Sequence, residues 1–147
     1  PLRSETDRNA VIQGLCDGTI DVIATDHAPH SVVEKELEFD RAAFGIIGLE
    51  TALPLSLKLV QDKHLTLSDL VTKMAKNPAS VLGKNNDIKE GATADLTLID
   101  PDREMTIDPD TFVSKSRNTP FGGMTVRGCA TMTMVDGRVV HETGNET

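Results

Sequence analysis

A chain of 147 residues has room for one domain but not for a complete (β/α)₈ barrel, which takes about 250 residues. With 38% hydrophobic and 26% charged residues it is globular rather than disordered, and with four Phe and no Trp or Tyr its core has to be aliphatic. The net charge of −8 argues against nucleic acid or an anionic membrane surface as partner, without excluding a small anionic substrate.

Residues 4–16 read as a helix. Ser4 and Asp7 resemble a capping box, Val11, Ile12 and Leu15 share a face, and Gly18 is a stop just past the end. Residues 20–25 follow as a strand. Val22, Ile23 and Ala24 form an apolar run without helical spacing, which suits a parallel strand covered on both faces. Where it ends come Asp26, His27 and His30, and Pro29 stops regular structure from continuing. An acid and imidazoles at the C-terminal end of a strand match the place where α/β barrels carry their chemistry. Asp26 could ligate a divalent metal, act as general base, or do both in turn. His27 and His30 could be ligands, substrate contacts or orienting partners. The plainer alternative is that Asp26 caps a turn and both histidines lie on the surface.

Residues 31–44 form a polar loop carrying Glu34, Lys35, Glu36, Glu38, Asp40 and Arg41, expected in solvent. Phe44 then precedes Gly45. A Phe-Gly pair lets backbone approach a ligand closely; the alternative is that Phe44 packs in the core. Leu49, Ala52, Leu53, Leu57 and Val60 make a helical stripe. Pro54 inside it places the helix start near Thr51, or kinks the helix. Residues 66–76 read as a second helix with Leu67, Leu70, Val71 and Met74 inward, ended by Asn77 because a residue before Pro avoids αR geometry. Residues 79–82 are a short last helix closed by Gly83, and His64 is structural.

At Gly83 the pattern changes from helices to strands. Residues 84–90 are polar, and short strands follow at 95–100, 103–107, 125–135 and 138–141. Asp136-Gly137 between alternating runs signals a type I′ hairpin. Residues 118–123, Asn-Thr-Pro-Phe-Gly-Gly, lack the Lys-Ser or Lys-Thr and the helix of a phosphate loop, so they read as a turn. Cys16 and Cys129 form no C-x-x-C and are expected as buried reduced thiols. His141 belongs to the surface, and residues 143–147 should fray.

Thr25-Asp26-His27-Ala28-Pro29-His30 resembles the last catalytic strand of the dihydroorotases in the amidohydrolase superfamily. Pro1-Leu2-Arg3-Ser4-Glu5 resembles the segment before it in the longer-chain bacterial type, and Phe44-Gly45-Ile46-Ile47-Gly48-Leu49-Glu50-Thr51 the stretch after it. Asn77-Pro78-Ala79 with Leu82-Gly83, then Ile88-Lys89-Glu90-Gly91 and Ala94-Asp95-Leu96, resemble the exit from the barrel into the small β domain. The match runs nearly end to end and in order. Its hexapeptide around Asp26 is specific to dihydroorotases; the later pieces specify only the superfamily.

The resemblance implies an α/β fold: the C-terminal part of a TIM-like (β/α)₈ metallo-dependent hydrolase barrel over residues 1–83, then part of a small β-sandwich domain over 84–147. It implies zinc-dependent, reversible cyclisation of N-carbamoyl-L-aspartate to dihydroorotate in pyrimidine biosynthesis. Asp26 would be the catalytic proton carrier and a metal ligand. His30 would recognise the substrate's α-carboxylate, and Phe44 and Gly45 would touch the ring through main chain; His27 gets no direct role. One or two zinc ions are implied, with a His-x-His pair, a bridging ligand, two further His and a substrate-binding Asn all upstream of Pro1. The chain is therefore expected to be the C-terminal third of a longer enzyme, inactive alone, with aliphatic faces open. The implied setting is cytoplasmic and the partner a small molecule, with a homodimer or association with aspartate transcarbamoylase left open. Two other readings stand beside this one. Another cyclic amidohydrolase, a hydantoinase or allantoinase, is disfavoured by His30 and Phe44-Gly45. An inactive dihydroorotase-like scaffold of aspartate transcarbamoylase is disfavoured by the presence of Asp26 and His30.

Overall fold

Helices occupy the first half of the chain and an antiparallel sheet the second, in a computed structural model that describes residues 3–143. Helix α1 (Glu5–Asp17) begins at the predicted box: the Ser4 hydroxyl accepts from Asp7 N at 3.1 Å, and the Asp7 carboxylate accepts from Ser4 N at 3.2 Å. Gly18 closes it in the left-handed region, and Leu15 is its buried residue.

Residues 20–30 carry no regular secondary structure, so the strand expected at 20–25 does not form. A strand needs a neighbouring backbone, and the sheet found among the described residues is built from other segments. Val22 and Ile23 are half-buried and Ala24 is exposed, so two-sided burial is not found either. Helical residues hold this stretch instead. Lys73 Nζ donates to Ile20 O at 2.7 Å, Asn77 Nδ2 donates to Asp21 O at 2.8 Å, and Ile23 N donates to Lys73 O at 3.0 Å.

The segment expected as a polar loop contains one turn of helix, α2 (Val32–Lys35). A second capping box nucleates it: Ser31 Oγ accepts from Glu34 N at 3.3 Å, and Glu34 Oε2 accepts from Ser31 N at 2.8 Å. Helix α3 (Ala52–Gln61) starts after Thr51, which leaves Pro54 in the first turn, where its missing N–H costs nothing. Helix α4 (Leu67–Val71) is capped by Thr66 and Asp69 and then widens into a π-helical segment, Thr72–Lys76, that runs on into α5 (Asn77–Val81). Asn77 therefore does not end the helix; it sits at φ −64°, ψ −45° despite preceding Pro78. Leu70 is buried and Met74 half-buried, as the stripe predicts, whereas Leu67 and Val71 are largely exposed.

Strands β1 (Leu96–Thr106), β2 (Thr125–Val135) and β3 (Arg138–Glu142) form an antiparallel sheet in that order. The two strands expected at 95–100 and 103–107 are one strand, with pairing interrupted between Asp100 and Glu104. The β2–β3 turn is the predicted one, with Asp136 at φ 50° and Gly137 at φ 72°. Residues 120–123 form a turn, as expected.

Leu57, Leu65 and Leu70 are the centre of an aliphatic core, with Ile23, Leu53, Leu59, Val60, Met74 and Ile99 packed around them. Gly128 of β2 lies so close to α3 that a Cβ on it would stand 2.3 Å from Leu57 Cδ1. Both cysteines are free, but neither is fully buried: Cys129 is half-buried, and Cys16 is exposed with its thiol donating to His64 O at 3.2 Å. Thr143 is tied down by its N–H to Thr131 O at 2.8 Å. The remainder of the tail expected to fray, residues 144–147, lies outside the described residues. No helix among the described residues is long and apolar enough to cross a membrane. The accessible surface is 10676 Å² for 15.8 kDa. A compact monomer of that mass exposes about 7,300 Å².

Candidate active site

Asp26 lies in the 20–30 segment with φ 45°. A non-glycine residue in the left-handed region costs about 1–3 kcal/mol, and such strain concentrates at functional positions. Asp tolerates this conformation better than most residues, because its short side chain can bond locally. This one does not: Asp26 is exposed, and among the described residues its carboxylate takes no hydrogen bond or ion pair. The alternative in which it caps the following turn is thereby set aside, since a cap must accept a backbone N–H.

Both histidines are half-buried and bonded, so neither is a bystander on the surface. His27 Nδ1 accepts from Gly48 N at 3.0 Å and, at the longer 3.4 Å, from Leu49 N. That assigns the ring hydrogen to Nε2. His27 thus pins the 20–30 segment to the chain entering α3. His30 Nε2 lies 2.8 Å from Phe44 O. A carbonyl can only accept, so Nε2 carries the hydrogen and Nδ1 is the ring nitrogen left for a ligand.

Gly45 makes the approach of the two segments feasible. At φ 107° it occupies backbone space that other residues avoid, and a Cβ there would stand 2.5 Å from Ala28 Cβ. Ala28 N donates to Ile46 O at 2.9 Å across the same gap. Phe44 is 87% exposed, so the alternative of a core phenylalanine is excluded. Lys35 Nζ donates to Ala43 O at 2.8 Å and to Gly45 O at 3.1 Å, which fixes the peptide carbonyls on either side of Phe44 and Gly45. The Gly45 N–H has no hydrogen-bond partner among the described residues.

One more side chain joins the cluster from the far end of the chain. Asn118 Nδ2 donates to Ala28 O at 2.8 Å and to Gly45 O at 3.3 Å, and its Oδ1 accepts from His30 N at 3.3 Å. Its backbone carbonyl accepts from Ile47 N at 3.1 Å. Nearby, the hydroxyl and amide of Ser31 hold the Glu34 carboxyl below the usual carboxylate range, with His30 adding a weaker pull. His30, Phe44 and Gly45 are therefore brought together, and Asp26 stands at the other end of the same five-residue segment.

Sequence reasoning missed Asn118, Lys35, Lys73 and Asn77. Asn118 looked like ordinary turn chemistry and Lys35 like one charge among many. Ser31-x-x-Glu34 was a readable signal that a helix, and hence an aimed lysine, lay in the loop. Among the described residues no three His, Cys, Asp or Glu side chains gather closely enough to hold a metal ion.

The sequence of the Amidohydrolase family matches over residues 2–140, and the chain belongs to that family. It is similar to the dihydroorotase of Desulforapulum autotrophicum, 65% identical over 142 residues, which are 97% of this chain and 33% of that one. It is 54% identical over 143 residues to the dihydroorotase of Geotalea daltonii, covering 97% of this chain and 34% of that one. Among solved structures it is similar to the L-hydantoinase (dihydropyrimidinase) of Arthrobacter aurescens, with TM-score 0.91 and 36% identity over 98% of this chain and 34% of that one. The chain spans about a third of the length of the curated relatives it matches. The fold is accordingly α/β, part of the amidohydrolase TIM-barrel fold, and the family implies a metal cofactor in general.

Proposed function

We propose that this chain is the C-terminal third of a dihydroorotase, which cyclises N-carbamoyl-L-aspartate to dihydroorotate and reopens it in pyrimidine biosynthesis. The observation that carries the reading is 65% identity over 97% of the chain to a protein named dihydroorotase. In this reading residues 1–83 complete a barrel and residues 84–147 belong to a small β-sandwich domain. The roughly 3,000 Å² of surface beyond that of a compact monomer is then the area that packs against the remainder of the enzyme. A cytoplasmic setting belongs to the same reading, with a homodimer or association with aspartate transcarbamoylase as the assemblies to look for.

Asp26 is the proton carrier. Its carboxylate has no competing partner, so it is free to take a proton from the water that attacks the ring amide and to pass it to the departing ring nitrogen. In the cyclising direction it takes the proton of the attacking carbamoyl nitrogen. The same carboxylate is the metal ligand this chain contributes. A divalent metal, zinc in this proposal, lowers the pKa of its bound water to about 7 and polarises the scissile carbonyl when present.

His30 binds the substrate's α-carboxylate. With Nε2–H given to Phe44 O, Nδ1 donates to that carboxylate when the ring is an imidazolium. The unpaired N–H of Gly45 is free to meet a ring carbonyl, and exposed Phe44 borders it. Hydantoin and dihydrouracil lack the carboxylate, so the His30 imidazole would have nothing to pair with.

The test is the complete enzyme carrying this segment, assayed with dihydroorotate, hydantoin and dihydrouracil. Turnover of dihydroorotate alone is expected. Turnover of the carboxylate-free rings in its place would overturn the assignment in favour of a hydantoinase, the class of the solved structure at TM-score 0.91.

A further inference from the structure

We propose that Asn118 is a positioning residue that sets the spacing between the two substrate contacts, His30 and Gly45; this rests on the dihydroorotase reading of that site. Ala28 and Asn118 are 90 positions apart in sequence, and residue 118 lies in the second part of the chain. Its side chain nevertheless closes the gap between the Ala28–His30 and Gly45–Ile47 segments.

The chemistry of the site leaves little choice of residue. Asn118 serves two carbonyls, Ala28 O and Gly45 O, the second shared with Lys35 Nζ, and supplies the acceptor for one amide, His30 N. A primary carboxamide supplies two N–H groups and one oxygen, and only one orientation of it satisfies all three. Asp lacks the donors, Ser has one, and Gln is longer by a methylene. The bonds act on groups that face the ligand. Holding His30 N fixes the backbone from which the imidazole reaches Phe44 O. The Phe44–Gly45 peptide is planar, so the grip of His30 Nε2 on its carbonyl, Phe44 O, orients the Gly45 N–H in the opposite direction. Asn118 holds the carbonyl on the next peptide, Gly45 O. One amide side chain thus bonds both the backbone that carries the imidazole and the carbonyl of Gly45, tying the two segments into one frame. Every one of these contacts is made within the chain. Among the described residues no hydrogen bond joins Asn118 to Asp26, which sets its role apart from the chemical step.

The experiment uses the complete enzyme and two variants, Asn118→Ala and Asn118→Asp, read by steady-state kinetics with dihydroorotate and by amide hydrogen exchange. Asn118→Ala should raise KM at least about tenfold while kcat stays within about threefold, because binding is loosened and the proton carrier is untouched. Exchange at His30 N should quicken at least about tenfold, and less at Ala28 N, whose acceptor Ile46 O is unchanged. Asn118→Asp keeps the acceptor but loses both donors. It should retain protection at His30 N and still raise KM, which holds even if the Ala variant fails to fold. A wild-type KM in either variant, or undiminished His30 protection in Asn118→Ala, would overturn the assignment. If the wild-type enzyme fails to convert dihydroorotate, the functional reading falls separately, and the exchange measurement still decides whether Asn118 holds this backbone.

Discussion

Replacing Gly128 by Ala tests how β2 seats on α3. Gly128 has φ 99°, and its new Cβ would lie 2.3 Å from Leu57 Cδ1 and 3.3 Å from Pro101 O. Leu57 is 1% exposed and central to the core, so its side chain has no free space to enter. Two costs add. Forcing an L side chain into positive φ costs about 1–2 kcal/mol. Displacing a packed leucine by a methyl costs about 1–3 kcal/mol more. The sum of about 2–5 kcal/mol is a large share of the 5–15 kcal/mol that is typical of a folded domain.

The two terms separate by comparison with Gly137→Ala. Gly137 has φ 72° but nothing within 4 Å of an added Cβ, so that variant carries the backbone term alone. In urea unfolding Gly128→Ala should lose more stability than Gly137→Ala, by about 1–3 kcal/mol. Equal losses would refute the packing. A third variant sharpens the result: Leu57→Ala alone should cost about 2–5 kcal/mol. Adding Gly128→Ala to it should then cost little beyond the backbone term, because the clashing methyl is gone.

Three further outcomes follow from the site and the caps. In the complete enzyme Asp26→Asn should lower kcat by about 10²–10⁴-fold, whereas His30→Asn should mainly raise KM; near-normal kcat in Asp26→Asn would contradict the proton-carrier role. The 147-residue chain alone, supplied with zinc, should not turn over dihydroorotate, since a catalytic zinc takes about three protein ligands and the described residues gather no such group; metal-dependent turnover by this chain would refute that. The hydroxyl and amide of Thr66 hold Asp69 below the usual carboxylate range, and those of Ser31 do the same for Glu34. A lowered folded pKa gives stability that is present above the unfolded range and lost as pH falls through the folded value. Acidification should therefore weaken α4 and α2, seen as a falling urea midpoint, and Asp69→Asn should flatten that fall.

Local chemistry was the legible part of this sequence. The Ser4–Asp7 capping box, the Asp136-Gly137 turn and the start of α3 near Thr51 depend on neighbours a few residues apart, and each formed where its residues predict. The segment that carries Asp26, His27 and His30 does not form the strand that its apolar run predicts. What sequence could not show were bonds over long separations. Nothing in Asn118-Thr119-Pro120 announces a partner at Ala28, and nothing in a charged loop says that Lys35 will hold Gly45 O. The thiol of Cys16 was misjudged for a related reason: burial depends on what packs against a helix face, and the face of α1 that carries Cys16 is left open.

Two of the errors of secondary structure, a strand that is not one and a helix that does not stop, have a single origin. Pro78 has no N–H to give. In the i→i+5 pattern of the π segment, where Asn77 N donates to Thr72 O, the carbonyl that position 78 would have served is Lys73 O. Ile23 N takes that carbonyl at 3.0 Å. The widened turn also delivers Lys73, 8% exposed, with its ammonium on Ile20 O, while Asn77 reaches Asp21 O. A helix bond that proline removes is thus replaced by one to the 20–30 segment, and the segment obtains from the helix the backbone partners that a sheet neighbour would otherwise supply. The helix can continue through Asn77 because its freed carbonyl is satisfied, and residues 20–23 are held without a ladder because three polar groups grip them. Asp26 follows three residues later, so the strained carboxylate is presented from a backbone anchored by the helix.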